Sequence, residues 1–273
     1  MRNFGKSLLI ALLLLLGISA FSQTAKRIVS LAPSLTKMVY LLEAGNELVG
    51  CTSYCEIPDK KSKAIVASAI EVSVEKVFVL KPDLVLASGL TKPSTLDALR
   101  KLGIKVEVFN TPTSFIGICE QLVSIGKLTG HEPLAWKVVT QQKLRLFDLK
   151  ATIKTKTIKP KIFFQIGAKP LFTVTPNTFM DDYITLVGGT NIASDMKSGS
   201  ITRENVLLKN PDVIIVITMG LVGEEEVEIW KSYKELSATK TNRIYLINSD
   251  KACSPTPLDF IDTVEQIVNM INK

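Results

Sequence analysis

Two glutamates, Glu75 and Glu204, occupy the same position in a segment that occurs twice in the chain without a gap. The copies are residues 73–85 and 202–214. Each reads as a Ser or Thr cap, an acidic first turn, a short amphipathic helix, Pro-Asp and an apolar strand. Matched carboxylates in two related units could both be held by a partner with two-fold symmetry. Alternatively, each glutamate complements only the dipole of its own helix, a gain of about 0.3–1 kcal/mol.

Residue patterns typical of catalytic sites are missing from the sequence. The single histidine, His131, lies in a predicted helix-to-helix corner at 129–133, which excludes a Ser-His-Asp arrangement. No Gly-x-Gly-x-x-Gly follows the first predicted strand, so a dinucleotide site is not expected. The acidic runs at 181–182 and 224–226 read as helix N-terminal and solvated charges. We therefore predict no catalytic residue, and a binding protein in preference to an enzyme.

The four cysteines, Cys51, Cys55, Cys119 and Cys253, do not form a dense disulfide framework. Cys51 and Cys55 could close only a small loop, and the pairing among the four stays open. Cys119 follows an apolar helical rhythm and is predicted to be a buried thiol. Metal binding by Cys51 and Cys55 lacks a third ligand, so neither a metal site nor a cofactor is predicted.

The first 22 residues have the features of a secretory signal peptide. Arg2 and Lys6 precede an apolar run at 8–16, and small residues follow, which predicts cleavage before Gln23. The run is shorter than the roughly 20 apolar residues that span a bilayer. An uncleaved N-terminal anchor is the alternative. The pattern predicts export, and a periplasmic location in a Gram-negative cell.

Length and charge narrow the class of protein further. Removal of the leader leaves about 250 residues, enough for two modest α/β lobes with their own cores. The formal net charge is +7, but the lysines are scattered and no basic run alternates with aromatic residues. Nucleic acid is therefore not a predicted partner.

The first lobe, residues 23–130, alternates strands with helices. Strands are predicted at 27–31, 48–51, 83–87 and 105–109, with helical segments between them. This alternation is typical of a mainly parallel sheet covered on both faces. In open sheets of this kind ligands bind beyond the carboxyl ends of the strands.

A long helix is predicted to join this lobe to a second one. Residues 131–157 contain no glycine, and apolar residues recur along them, which favours one continuous helix over two helices with a bend near 141–142. The segment falls midway between the two copies of the repeat. The second lobe, residues 158–273, restarts with a strand at 161–165. The fold class predicted is α/β, with two Rossmann-like lobes joined by one long α-helix.

The chain resembles the substrate-binding proteins of ABC importers for cobalamin, ferric siderophores and haem. Five segments carry the resemblance in the family's order: 27–36, 48–58, 73–75, 80–85 and 125–130. Residues 54–58 and 165–172 look most like the cobalamin branch. The resemblance implies a ligand cleft between the lobes and a monomer that serves a dimeric permease with its ATPase. It also implies that Glu75 and Glu204 dock into arginine pockets of that permease.

The same resemblance implies a set of ligand-facing positions on loops around the cleft. They are Ala32, Pro33, Ser34, Tyr54, Ala69, Ser88, Gly89, Phe172, Ser200, Asp250 and Ser254. Tyr54 and Phe172 match aromatic positions that pack on the corrin ring in cobalamin binders. Cobalamin binders also tend to place tryptophans near 69, 88 and 200. This chain departs from that pattern, because its two tryptophans are Trp136, on the predicted connector, and Trp230, in an acidic helix read as surface.

The predicted function is capture of cobalamin or a related corrinoid for import. The resemblance leaves a ferric siderophore or haem as alternatives. Lys92 and Lys169 are the basic candidates for a siderophore, and Tyr54 could ligate haem iron. A sensory module that binds its ligand in order to signal is the alternative of another class.

Overall fold

The computed structural model describes residues 24–68, 71–153, 159–218 and 222–272. The predicted leader with its cleavage point before Gln23 lies outside these ranges, as does Ala69. Among the residues described, no helix is both long enough and apolar enough to cross a membrane.

The first lobe is built on a parallel five-stranded sheet in the order β3-β2-β1-β4-β5. This is a doubly wound order, and the prediction of a mainly parallel sheet is confirmed. The central strand β1 is buried along its whole length, which explains why it begins with two apolar residues, Ile28 and Val29. Strand β3 was not predicted. The elements are β1 (Ile28–Ser30), α1 (Pro33–Leu41), β2 (Leu48–Thr52), a 3₁₀ turn (Lys60–Ser62), β3 (Ala64–Ala67), α2 (Val74–Val79), β4 (Leu84–Ser88), α3 (Pro93–Lys101), β5 (Val106–Phe109) and α4 (Phe115–Thr129).

The second lobe contains a sheet in the order β10-β9-β6-β7, with β8 also paired to β6. Strand β7 runs antiparallel to β6, and the other pairs described are parallel. The elements are β6 (Lys161–Ala168), β7 (Leu171–Thr173), α6 (Phe179–Leu186), β8 (Thr190–Asn191), α7 (Arg203–Lys209), β9 (Val213–Thr218), α8 (Val222–Ser232), α9 (Ser237–Lys240), β10 (Ile244–Asn248), α10 (Ser249–Cys253) and α11 (Pro257–Ile271).

One continuous helix, α5 (Glu132–Thr152), connects the lobes, as predicted. Its 21 residues extend for about 32 Å at 1.5 Å per residue. Gly130, with φ +81°, ends α4, and His131 occupies the position before α5, so the predicted corner is confirmed. The last residues of the predicted connector, 154–157, lie outside the described ranges.

An aromatic stack continues the hydrophobic core from one lobe into the other. Phe260 of α11 is fully buried, with its ring centroid 5.0 Å from that of Phe115 on α4 and 4.6 Å from that of Tyr183 on α6. These residues belong to a single cluster that also includes the inner faces of both sheets. The lobes are therefore packed against each other through a shared core as well as joined by α5.

The two copies of the sequence repeat adopt the same local structure. Ser73 and Thr202 cap their helices, and each side-chain oxygen accepts a backbone N–H three residues later at 3.3 Å. Each helix ends in a left-handed residue, Lys81 with φ 46° and Asn210 with φ 43°. The duplication predicted from the sequence is thus present in the backbone as well as in the residue types.

The same correspondence continues into the first strand of each lobe. The carboxylate of Asp83 accepts the backbone N–H of Arg27 at 3.0 Å, and that of Asp212 accepts the N–H of Lys161 at 2.8 Å. The Arg27 and Lys161 side chains each donate to a carbonyl at the end of the repeat helix, at 2.7 and 2.8 Å. Both repeat helices are therefore fixed to their sheets by equivalent bonds.

Helix α8 differs from the surface helix predicted from its acidic composition. Trp230 is fully buried, and its Nε1–H donates to Gln165 Oε1 at 2.6 Å. Glu226 is buried as well and forms an ion pair with Arg203 at 2.7 Å, whereas residues 224–225 are exposed. Positions 226 and 230 are four apart, so both side chains lie on the helix face that packs against the sheet. The prediction of solvated charges was therefore wrong for Glu226.

Candidate ligand-binding site

A cavity of about 750 Å³ lies where the five strands of the first sheet end. Small-molecule sites usually enclose about 300–1,000 Å³. Residues after every strand contribute to its wall, and side chains of the second lobe close it from the opposite side. The expectation that the site lies beyond the carboxyl ends of the strands agrees with this cavity. The wall segments of the first lobe are 31–35, 52–54, 67–68, 71–72, 88–95 and 109–112, of which most members line the cavity.

Five of the predicted ligand-facing residues come together in this wall. They are Ala32, Pro33, Ser34, Tyr54 and Ser88. Tyr54 is 62% exposed, and its backbone N–H donates to Thr52 Oγ1 at 3.2 Å in the turn that follows β2. Gly89 lies beside the wall, where its N–H donates to the Phe109 carbonyl at 2.9 Å and joins the ends of β4 and β5.

The predicted positions of the second lobe lie outside the wall of this cavity. Phe172 and Ser200 pair with each other in an antiparallel bridge, and Phe172 is 39% exposed, so it is not a core residue. Ser254 is flanked by two wall residues, Cys253 and Pro255. The ligand contacts of these positions stay predictions.

Asp250, which was expected to face the ligand, takes part in an ion pair between the lobes, and its contact with ligand stays a prediction. Lys37 of α1 is mostly buried, and its Nζ lies 3.0 Å from both the Asp250 and Asp259 carboxylates. The same ammonium donates to the Asp250 carbonyl at 3.1 Å. Asp250 in α10 and Asp259 in α11 therefore connect the second lobe to α1 of the first.

Four wall residues of the second lobe, Phe179, Met180, Cys253 and Pro255, are not among the predicted positions. Phe179 and Met180 begin α6, whose start is fixed by Thr178, which accepts the Asp181 N–H at 3.3 Å. The Thr-x-x-Asp spacing is a sequence signal for that start. Cys253 ends the short helix after β10, and burial raises the pKa of its thiol to about 11. It is therefore a neutral thiol at physiological pH.

The cavity wall combines apolar side chains with hydrogen-bonding ones and carries few charges. Hydroxyl and amide side chains from several loops contribute to it, and Glu71 and Lys92 are its charged members. Among the described residues, no group of three or more His, Cys, Asp and Glu side chains is placed to hold a metal ion. The hydroxyl and amide members include Ser34, Ser88, Thr91, Ser94, Asn110 and Gln121. Such a wall can hydrogen-bond a large neutral ligand, but it offers little charge to an ionic one.

Two thiols lie directly behind the Tyr54 turn. Cys51 and Cys55 are buried, and the Cys55 sulfur lies 3.2 Å from Thr36 Oγ1 and 3.3 Å from Thr52 Oγ1. A hydrogen bond from Cys51 lowers the pKa of Cys55, and the same bond raises that of Cys51. All four cysteines are free thiols in the structure, and Cys119 is buried as predicted.

Glu75 and Glu204 are both exposed at the starts of α2 and α7. Within the described part of the chain, neither carboxylate has an ion-pair partner. Hydrogen bonds from its own backbone N–H and from Thr202 hold the pKa of Glu204 below its usual value. The carboxylates are therefore available to a partner outside this chain.

Two lobes joined by one helix, with a polar cavity between them, define a class of extracytoplasmic solute-binding proteins. The chain belongs to the periplasmic binding protein family, whose sequence model matches residues 28–251. Its relatives are binding components of ABC transporters, not enzymes.

Three comparisons illustrate the similarity. An uncharacterised ABC transporter substrate-binding lipoprotein of Bacillus subtilis is 32% identical over 90% of this chain and 80% of its own length. A vitamin B12-binding protein of Photorhabdus laumondii is 31% identical over 82% of each chain. The crystal structure of a possible iron-binding periplasmic solute-binding protein of Staphylococcus epidermidis is 26% identical and has a TM-score of 0.79. That match covers 92% of this chain and 100% of the other.

Proposed function

We propose that this protein captures cobalamin or a related corrinoid in the periplasm and delivers it to a dimeric permease with its ATPase. The hydrogen-bonding wall of the cavity, in which Glu71 and Lys92 are the charged side chains, is the observation that carries the proposal. A corrinoid bears neutral amides around its ring, and hydroxyl and amide side chains complement them. Haem bears carboxylates, and many ferric siderophores are anionic. Either would need more cation than Lys92 supplies beside Glu71.

Aromatic groups at the cavity supply contact area for a macrocycle. Tyr54 stands at the rim, and Phe109 and Phe179 lie in the wall from opposite lobes. Aromatic rings combine large apolar area with preferred stacking geometries. These three rings would take the place of the tryptophans that cobalamin binders tend to carry. The relative named as a vitamin B12-binding protein supports the same ligand class.

Capture involves no chemistry and little motion. The shared core and the Lys37 ion pairs hold the lobes together, so we expect only a small closure when ligand enters. The loaded monomer would then dock through Glu75 and Glu204, whose carboxylates match paired guanidinium groups on the permease. Reversal of both charges, Glu75→Lys with Glu204→Lys, is expected to abolish uptake while ligand binding survives. Loss of ligand binding in this variant would contradict the docking role.

The test is calorimetric titration of residues 23–273 with cyanocobalamin, and in parallel with haem and with a ferric siderophore. We expect saturable one-to-one binding of cyanocobalamin alone. Tyr54→Ala should weaken it about tenfold to 100-fold through lost ring contact. Phe147→Ala, an aromatic truncation on the exposed side of α5, is the matched control and should leave binding unchanged. Binding of haem or the siderophore in place of cyanocobalamin would overturn the corrinoid assignment.

Uptake lost in a deletion strain, with signalling intact, would distinguish import from sensing.

A further inference from the structure

Each repeat helix exposes one aliphatic side chain four residues after its glutamate. Val79 follows Glu75 on α2 and is 75% exposed, and Leu208 follows Glu204 on α7 and is 83% exposed. Residues four apart on a helix lie on the same face with Cβ atoms about 6 Å apart. A carboxylate and an aliphatic group therefore lie side by side on each lobe, and the two patches occupy equivalent positions in the duplicated unit.

The fold itself does not account for these exposed side chains. The inward residue of each helix is a valine at another equivalent position, Val77 or Val206, and both are fully buried. Helix capping and attachment to the sheets use polar groups elsewhere in the repeat. Single exposed apolar residues are common on protein surfaces. Two at matched positions, each beside an exposed glutamate, are better explained by a shared role.

We propose that Val79 and Leu208 form the apolar half of a two-part docking surface for the permease, with Glu75 and Glu204 as the charged half. This inference rests on the proposed function. The partner is an assembly with two-fold symmetry that presents, twice, a basic group beside an apolar depression. Charge complementarity to the two exposed carboxylates argues for this partner. A second copy of this chain would bring like charges together at the same surface.

Division of the surface into two halves predicts two different dependences on salt. Exposed charge pairs weaken as salt screens them, whereas burial of aliphatic area does not. The aliphatic pair should therefore contribute the same factor to affinity at low and high ionic strength. The glutamate pair should contribute less as salt rises.

The experiment measures binding of the mature protein, residues 23–273, to its permease–ATPase complex in lipid nanodiscs. Variants are Val79→Ser with Leu208→Ser, Glu75→Gln with Glu204→Gln, and Leu144→Ser as a control on α5 whose side chain is 61% exposed. Burial of one aliphatic side chain is worth roughly tenfold in affinity, so the double aliphatic variant should bind about 100-fold more weakly. This 100-fold loss of affinity should be the same at low and high salt, and Leu144→Ser should bind the permease as tightly as the wild type does. Thermal unfolding and cyanocobalamin titration verify that each variant is folded.

Three results would overturn the inference, and they distinguish its failure from failure of the proposed function. If the glutamate variant loses permease binding but the aliphatic variant does not, docking stands and the apolar half is refuted. If neither variant changes permease binding, the docking function itself fails. Concentration-dependent dimerisation that Leu208→Ser abolishes, with permease binding unchanged, would assign the patch to a second copy of the chain.

Discussion

Removal of the Phe260 ring tests whether the two lobes share one core. Phe260 is fully buried and stacks on Phe115 at 5.0 Å and on Tyr183 at 4.6 Å. Truncation of a buried phenylalanine to alanine typically costs about 3–5 kcal/mol. Each aromatic pair adds roughly 0.5–1.5 kcal/mol beyond area burial. Because Phe260 makes two such pairs, we expect Phe260→Ala to fall in the upper part of the range for a buried phenylalanine and to lower the free energy of unfolding by about 4–5 kcal/mol.

Urea unfolding followed by two probes measures this loss and tells whether both lobes feel it. Trp136→Phe as a background leaves Trp230, buried in the second lobe, as the single tryptophan reporter, while far-ultraviolet circular dichroism follows both lobes. We expect coincident transitions, because the stack joins helices of both lobes. Phe147→Ala, an exposed truncation of the same kind, should change the free energy by less than about 0.5 kcal/mol.

Two outcomes would refute the shared core. A loss below about 1 kcal/mol would mean that the stack contributes little. The second outcome is a difference between the two probes. If Phe260→Ala shifted the Trp230 transition but much of the circular dichroism were still lost at the same urea concentration as in the parent protein, the lobes would unfold independently.

Two further predictions concern polar groups. Arg203→Met leaves the buried Glu226 carboxylate unpaired and should cost about 3–5 kcal/mol in urea unfolding. Adding Glu226→Gln should recover part of that loss, and no recovery would contradict an ionic origin. The Tyr40 hydroxyl and then Lys63 lower the pKa of Asp59 below its ordinary 3.8. The stability that the ionised Asp59 carboxylate contributes is therefore fully present above pH 3.8, and it is lost as pH falls through the lower pKa of the folded state. Thermal unfolding should show Asp59→Asn less stable than wild type at pH 6 and the gap closing below pH 3.8; a constant gap would refute this.

The features predicted correctly from the sequence depend on short-range signals. The repeat can be recognised because three signals follow one another within a few positions of each copy. They are a capping residue, a glutamate (Glu75 or Glu204) and a Pro-Asp pair. The loops after the strands of the first lobe followed from strand alternation, and they line the cavity. The connector followed from the unbroken run before Thr152. In each case the residues that determine the element are neighbours in the chain.

The features that were missed depend on distant partners. The ion pair between Asp250 and Lys37 joins residues more than 200 positions apart, so it could not be predicted from the neighbours of Asp250 in the sequence. Glu226 was predicted to be a surface charge, but it lies on the buried face of α8 and pairs with Arg203. Cys253 enters the cavity wall because the second lobe folds back over the first. Composition and periodicity carry no information about such pairings.

A stiff molecule with two matched patches places a constraint on delivery. Because the lobes share a core, we expect Glu75 and Glu204 to keep nearly the same separation, and the proposed docking surface nearly the same geometry, with and without ligand. A ligand shifts an equilibrium only by its differential affinity for the two states. We therefore expect the permease to bind loaded and empty protein with similar affinity, unless ligand itself touches the permease. If docking is as proposed, we expect release to come from strain that the permease applies at the two patches. Because Lys37 forms ion pairs between the lobes, that strain would act against these pairs as the lobes separate.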